Sequence, residues 1–182
     1  MKEKLRDKTR DKLVHSLNAL GVGATMAERG RPEERIRKSW GKRSLGVIDI
    51  PQGPIRCINI VRQDGSQYSP PQWWLVLCMP DERPFSKRRE VKIKTVRKKS
   101  FPVFGKVVDV AWEGDDYGTG LLRTLANDYK VKSWVKKTGN LEVRRDAEEF
   151  QGWTLQVAKR LTPTRQDWDI IRKIADHLLS SR

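Results

Sequence analysis

The sequence predicts an α+β protein: a mixed, mainly antiparallel sheet of about six or seven strands, with two packed helices and an N-terminal helical arm. Three observations lead there. Apolar runs of strand length recur between residues 45 and 112. Turn residues, such as Pro51-Gln52-Gly53-Pro54 and Asp64-Gly65, separate them by short links, which favours antiparallel neighbours. The final segment then changes to helical period, with Trp168, Ile171, Ile174, Ala175 and Leu178 on one stripe.

Taken in order, residues 1–20 read as a helix. Leu5, Leu13, Leu17 and Leu20 recur near helical period, Val14 widens the stripe, and Gly21 and Gly23 stop it. Residues 21–43 have few apolar side chains. A short helix from Pro32, ending before Gly41, would be anchored only by Ile36 and Trp40. Residues 1–43 therefore read as a basic helical arm and linker, with 13 basic and 6 acidic side chains, and residues 44–182 as a single α+β domain.

Strands follow at 45–50, 55–61 and 73–79. The last is almost wholly apolar, as a central strand covered on both faces should be. Around residue 92, Val91 and Ile93 alternate with Glu90, Lys92 and Lys94, so a strand here buries one face and exposes a row of charge. It fits either a lysine-guarded edge strand or a phosphate-binding ribbon. Residues 103–112 read as a second central strand, with Asp109 on the face of Val107 and Ala111 as a buried carboxylate. An acidic turn leads to a helix from about Tyr117, with Asp116 as its N-cap and Gly118 and Gly120 as packing glycines inside it. A lysine-rich loop containing Trp134 precedes a hairpin of 141–145 with 153–161. Thr164 and Asp167 then form a capping box for the last helix.

Charge is the strongest functional signal. The chain has 182 residues, 38 lysines and arginines against 23 acids, and a formal net charge of +15. Such self-repulsion suggests an anionic partner. Residues 83–99 hold nine basic side chains against Glu90 alone, and residues 130–145 hold six against Glu142. The leading expectation is a non-catalytic protein that binds DNA or RNA, with no cofactor. Its candidate contacts are Lys87, Arg88, Arg89, Lys92, Lys94, Arg97, Lys98 and Lys99 in the first run, and Lys130, Lys132, Lys136 and Lys137 in the second. Trp134 is the candidate stacking ring.

Two further readings stand beside it. Asp109, Glu113 and Asp116 are candidate Mg²⁺ ligands for a phosphodiesterase or nuclease. Pro80-Asp81 followed by Glu90-Val91-Lys92 superficially resembles the PD-(D/E)xK nuclease arrangement, although the eight residues between Asp81 and Glu90 are few for that hairpin. The third reading is an interaction module whose arm orders on an acidic protein. Cys57 and Cys78 lack a CxxC or histidine neighbour, which argues against zinc. The start MKEKLRDKTRDK has no apolar core, and no run is long enough to span a bilayer, so a cytoplasmic location without membrane contact is expected.

Overall fold

The computed structural model describes residues 8–84, 90–100, 107–145 and 150–181. Eight strands form one sheet: β1 (Thr25–Met26), β2 (Lys42–Asp49), β3 (Cys57–Gln63), β4 (Gln72–Pro80), β5 (Val91–Lys99), β6 (Val107–Asp115), β7 (Leu141–Arg145) and β8 (Gly152–Val157). Four helices accompany it: α1 (Thr9–Ala19), α2 (Leu121–Asn127), α3 (Tyr129–Thr138) and α4 (Arg165–Ser180). The strand order is β1-β2-β3-β4-β8-β7-β5-β6, and every ladder is antiparallel. The α+β class is as the sequence predicts, with antiparallel pairing complete rather than mixed.

Alternation sorts each strand between two faces. Ile58, Ile60, Leu75, Leu77, Met79, Val91, Ile93, Leu141, Val143, Trp153, Leu155 and Val157 meet α1, α2, α3 and α4 in the main core. On the opposite face a smaller cluster holds Val47, Cys57, Val61, Val76 and Cys78 under Ala27 and Ile36, beside the 3-10 turn Pro32–Arg35. Burying each large aliphatic side chain contributes about 1.5–3 kcal/mol, so two-sided coverage makes β3 and β4 the anchor of the sheet.

The segment before residue 43 adds side chains to both faces. Leu13 and Leu17 of α1 lie in the main core. Arg10 crosses the bulge between Ser44 and Gly46 and donates to the Ala27 carbonyl at 3.2 Å. The Arg10 guanidinium fills the space beside Gly46, whose φ of +116° is the backbone conformation that favours glycine there.

Three local expectations are corrected. First, β5 is interior, between β7 and β6, whereas β6 is the edge strand and leaves Val108 exposed. The apolar run of β6 packs against α2 and α3. Second, residues 129–138 are helical. The Asp128 carboxylate accepts the N–H groups of Lys130 and Val131, and Val131, Trp134, Val135 and Thr138 form the buried stripe. Third, Gly118 and Gly120 precede their helix. They take positive φ in a turn, and a Cβ on either would meet nothing within 4 Å, so backbone conformation selects them and not packing. The capping box of α4 forms as expected: Thr164 N–H and Oγ1–H donate to Asp167 Oδ2, and the Asp167 N–H donates to Thr164 Oγ1. Among the described residues, no helix is long and apolar enough to cross a membrane.

Candidate nucleic-acid interface

Antiparallel register decides which strand ends share a rim of the sheet. Lys42 pairs with Gln63, Gln63 with Gln72, Leu75 with Val157, Val157 with Leu141, and Lys99 with Val107. The start of β2 and the end of β8 are therefore on the same rim as the end of β5. Because α3 runs directly into β7, its last turn reaches this rim too, and α4 starts from it after β8. Cations far apart in sequence converge here: Arg97, Lys98 and Lys99 of β5, Lys136 and Lys137 of α3, and Lys159 and Arg160 after β8. Arg97 joins the two sides by donating from Nε to Asn140 Oδ1 at 3.0 Å.

A groove of about 840 Å³ opens between α3 and the segment leading into α4. Its lining includes five cations: Lys130, Lys137, Lys159, Arg160 and Arg165. None of the five is in an ion pair with a carboxylate among the described residues. Trp134 and Leu161 supply apolar wall, and Tyr129 is 74% exposed at the margin. Two acids, Asp167 and Asp169, also line the groove, and Asp167 is fixed by its neighbours. Burial alone would raise its pKa, but bonds from Thr164 and from Trp134 Nε1–H (2.7 Å), with the charge of Lys159, hold it below the usual carboxylate range. The groove thus combines five cations with two carboxylates, Asp169 and the Asp167 already engaged by its own neighbours.

The expected contact residues divide between two surfaces. Arg97, Lys98, Lys99, Lys136 and Lys137 meet at the rim, and Lys130 lines the groove. Lys132 is engaged by Asp109 at 2.9 Å. Lys92 and Lys94 alternate with the buried Val91 and Ile93, so they project from the face away from the helices. There Lys92 is registered between Asp115 and Arg144, and Lys94 between Glu113 and Glu142, which disperses their charge. Lys87, Arg88 and Arg89 lie outside the described residues. Trp134 is corrected from an exposed loop ring to a buried helix residue, 5% exposed, whose indole N–H is committed to Asp167.

The candidate metal ligands do not form one cluster. Asp109 is part-exposed rather than buried, and its pKa is lowered first by the bond from Lys132 and next by the Val110 backbone N–H. Asp116 accepts the N–H groups of Gly118 and Leu122 and so organises the turn into α2. Glu113 is exposed beside Lys94. Among the described residues, no group of three or more His, Cys, Asp or Glu side chains could hold a metal ion. Asp81 is also occupied: Arg83 and Arg145 form ion pairs with it, and Trp153 Nε1–H donates to it at 3.1 Å.

Several residues at the interface escaped the sequence reading. Lys159, Arg160 and Arg165 lie between a strand and a helix, and their closeness to α3 depends on the fold. Arg62 and Arg160 lie over the Trp73 ring, at 5.3 and 5.6 Å from its centroid. Lys42 lies 4.0 Å from the Trp74 ring centroid. Trp40 and Tyr68, 100% and 88% exposed, extend from the loops at the same rim. One signal was legible. Asp128 followed by Val131, Trp134, Val135 and Thr138 is a helix start with helical spacing, and would have placed Lys130 and Lys137 on a helix.

No protein-family model matches this chain, and neither a curated protein nor a solved structure matches it.

Proposed function

We propose that this protein binds nucleic acid through the phosphate backbone, at the basic rim of the sheet and in the adjoining groove, without catalysing a reaction. The observation that carries the reading is convergence. Cations from β5, from α3 and from the β8–α4 segment are brought together by the fold, and the groove's five have no carboxylate ion-pair partner among the described residues. A chain of net charge +15 whose groove sets five cations against two acids gains by exchanging small counterions for a polyanion. A cytoplasmic location belongs to the same proposal. Cys57 and Cys78 face each other in register as free buried thiols, a state that a reducing compartment preserves.

Titrating a labelled oligonucleotide with the protein over a series of salt concentrations tests the reading. The logarithm of affinity should fall linearly with the logarithm of salt, by about 0.7–0.9 per phosphate contact. About five contacts would weaken binding roughly a hundredfold between about 50 and 200 mM salt. Absence of binding at the lower concentration would overturn the proposal.

A further inference from the structure

The exposed rings at this interface narrow the ligand class, given the phosphate-binding reading above. Trp40 is fully exposed, Tyr68 is 88% exposed and Tyr129 is 74% exposed. Leaving three large rings in water forgoes the burial that drives folding, and none of them serves the core. Their positions follow the basic surface. Trp40 precedes Lys42, and Tyr68 sits in the neighbouring β3–β4 loop at the same rim. Arg160 connects that rim to the groove, since it both covers the Trp73 ring and lines the groove wall. Tyr129 marks the groove's other margin.

We infer that the ligand is single-stranded nucleic acid, whose bases stack on Trp40, Tyr68 and Tyr129 while its phosphates follow the cations between them. A duplex keeps its base faces stacked internally and offers nothing to these rings, whereas every unpaired base has a π-face to offer. Stacking is indifferent to base identity, so the expected preference is for strandedness and not for sequence.

The test compares a 15-nucleotide single strand, the matching blunt duplex, heparin, and vesicles containing anionic lipid, all at one salt concentration. The single strand should bind about tenfold more tightly than the duplex, and its binding should quench tryptophan fluorescence. The variant Trp40→Ala with Tyr129→Ala should lose about tenfold or more for the single strand, as expected for two lost stacking contacts, and stay within about twofold for heparin. Both side chains are exposed, so the variant should melt like the parent. Duplex binding equal to or tighter than single-strand binding would overturn the inference. So would unchanged single-strand affinity in the variant, or vesicle binding in preference to both nucleic acids. In each of the first two cases the phosphate-binding proposal survives. Failure of both nucleic acids to bind removes that proposal as well.

Discussion

The two rims of the sheet hold their cations in opposite states. At the rim where β4 ends and β8 begins, positive charge is consumed internally. Asp81, 7% exposed, is clamped by Arg83 and Arg145 and takes the Trp153 N–H. Arg31 is bound by Asp49 and Glu33. Arg56 donates to the Pro51 carbonyl. At the other rim, charge is left open: the groove cations have no carboxylate ion-pair partner among the described residues, and Asp64 and Asp109 are the acids that neutralise nearby cations. The difference teaches that a basic run in sequence carries two unlike quantities. An arginine held by a buried carboxylate is part of the fold and unavailable to a ligand. A lysine without such a partner keeps its charge for an external anion.

Breaking the closed rim should have the largest effect. Asp81→Ala leaves Arg145 and the Trp153 N–H without their shared acceptor, and should cost about 3–5 kcal/mol in urea denaturation. Nucleic-acid affinity should stay within about twofold for the folded variant. A stability loss below about 1 kcal/mol would show that the clamp is incidental. The same carboxylate sets a pH response. Burial alone would raise its pKa, but bonds from Arg83 and the charge of Arg145 lower it from 3.8 to about 2. A depressed carboxylate stabilises the fold above its unfolded pKa, so about 2 kcal/mol present above pH 4 is lost as pH falls towards 2. Asp81→Asn should flatten that part of the stability–pH curve.

Breaking the open rim should reverse the pattern. Lys137→Ala with Lys159→Ala and Arg160→Ala should weaken oligonucleotide binding about a hundredfold and reduce the salt slope by about 2–3. Stability should fall by about 1 kcal/mol or less, mainly through the Arg160 contact with Trp73. Arg31→Gln, which also removes positive charge but from the closed rim, should leave affinity within about twofold. Equal losses per charge removed in the two variants would mean that net charge alone governs binding.

How much of this was legible depended on the range of the interactions involved. The strands of the first half, the last hairpin and the α4 capping box follow from alternation, turn chemistry and caps, which are local. The exchange of edge and interior between β5 and β6 was not legible. The lysines of β5 read as either edge protection or a phosphate-binding ribbon, but β7, nearly fifty residues later, adds to that strand and makes it interior. Asp109 read as a buried carboxylate because its neighbours are apolar, while its exposure follows from β6 having no outer partner among the described residues. The basic runs were visible, but their division was not. Lys94 and Lys99 belong to one strand, yet the alternation sends the first to the acid-laced face, and the strand's end carries the second to the rim. Lys159 and Arg160 join the groove only because β8 pairs with β7, and α3 leads into β7.

The most discriminating change converts a closed charge into an open one within the basic rim. Asp64 neutralises Arg43 (3.2 Å) and Arg62 (3.1 Å), and its side chain is 59% exposed. Exposed pairs of this kind contribute about 0–1 kcal/mol, so Asp64→Asn should leave the urea midpoint almost unmoved. It should nevertheless release Arg43 at the rim that also carries Trp40 and Tyr68. If rim cations bind phosphates, affinity for the oligonucleotide should rise about three- to fivefold at low salt, and the salt slope should steepen by about one phosphate contact. Asp49→Asn makes the same change in net charge at the closed rim, where Arg31 keeps Glu33 as a partner, and should raise affinity less than twofold. A gain in the first variant and not in the second would locate the ligand on the rim. Equal gains would leave only a general attraction to a positively charged chain.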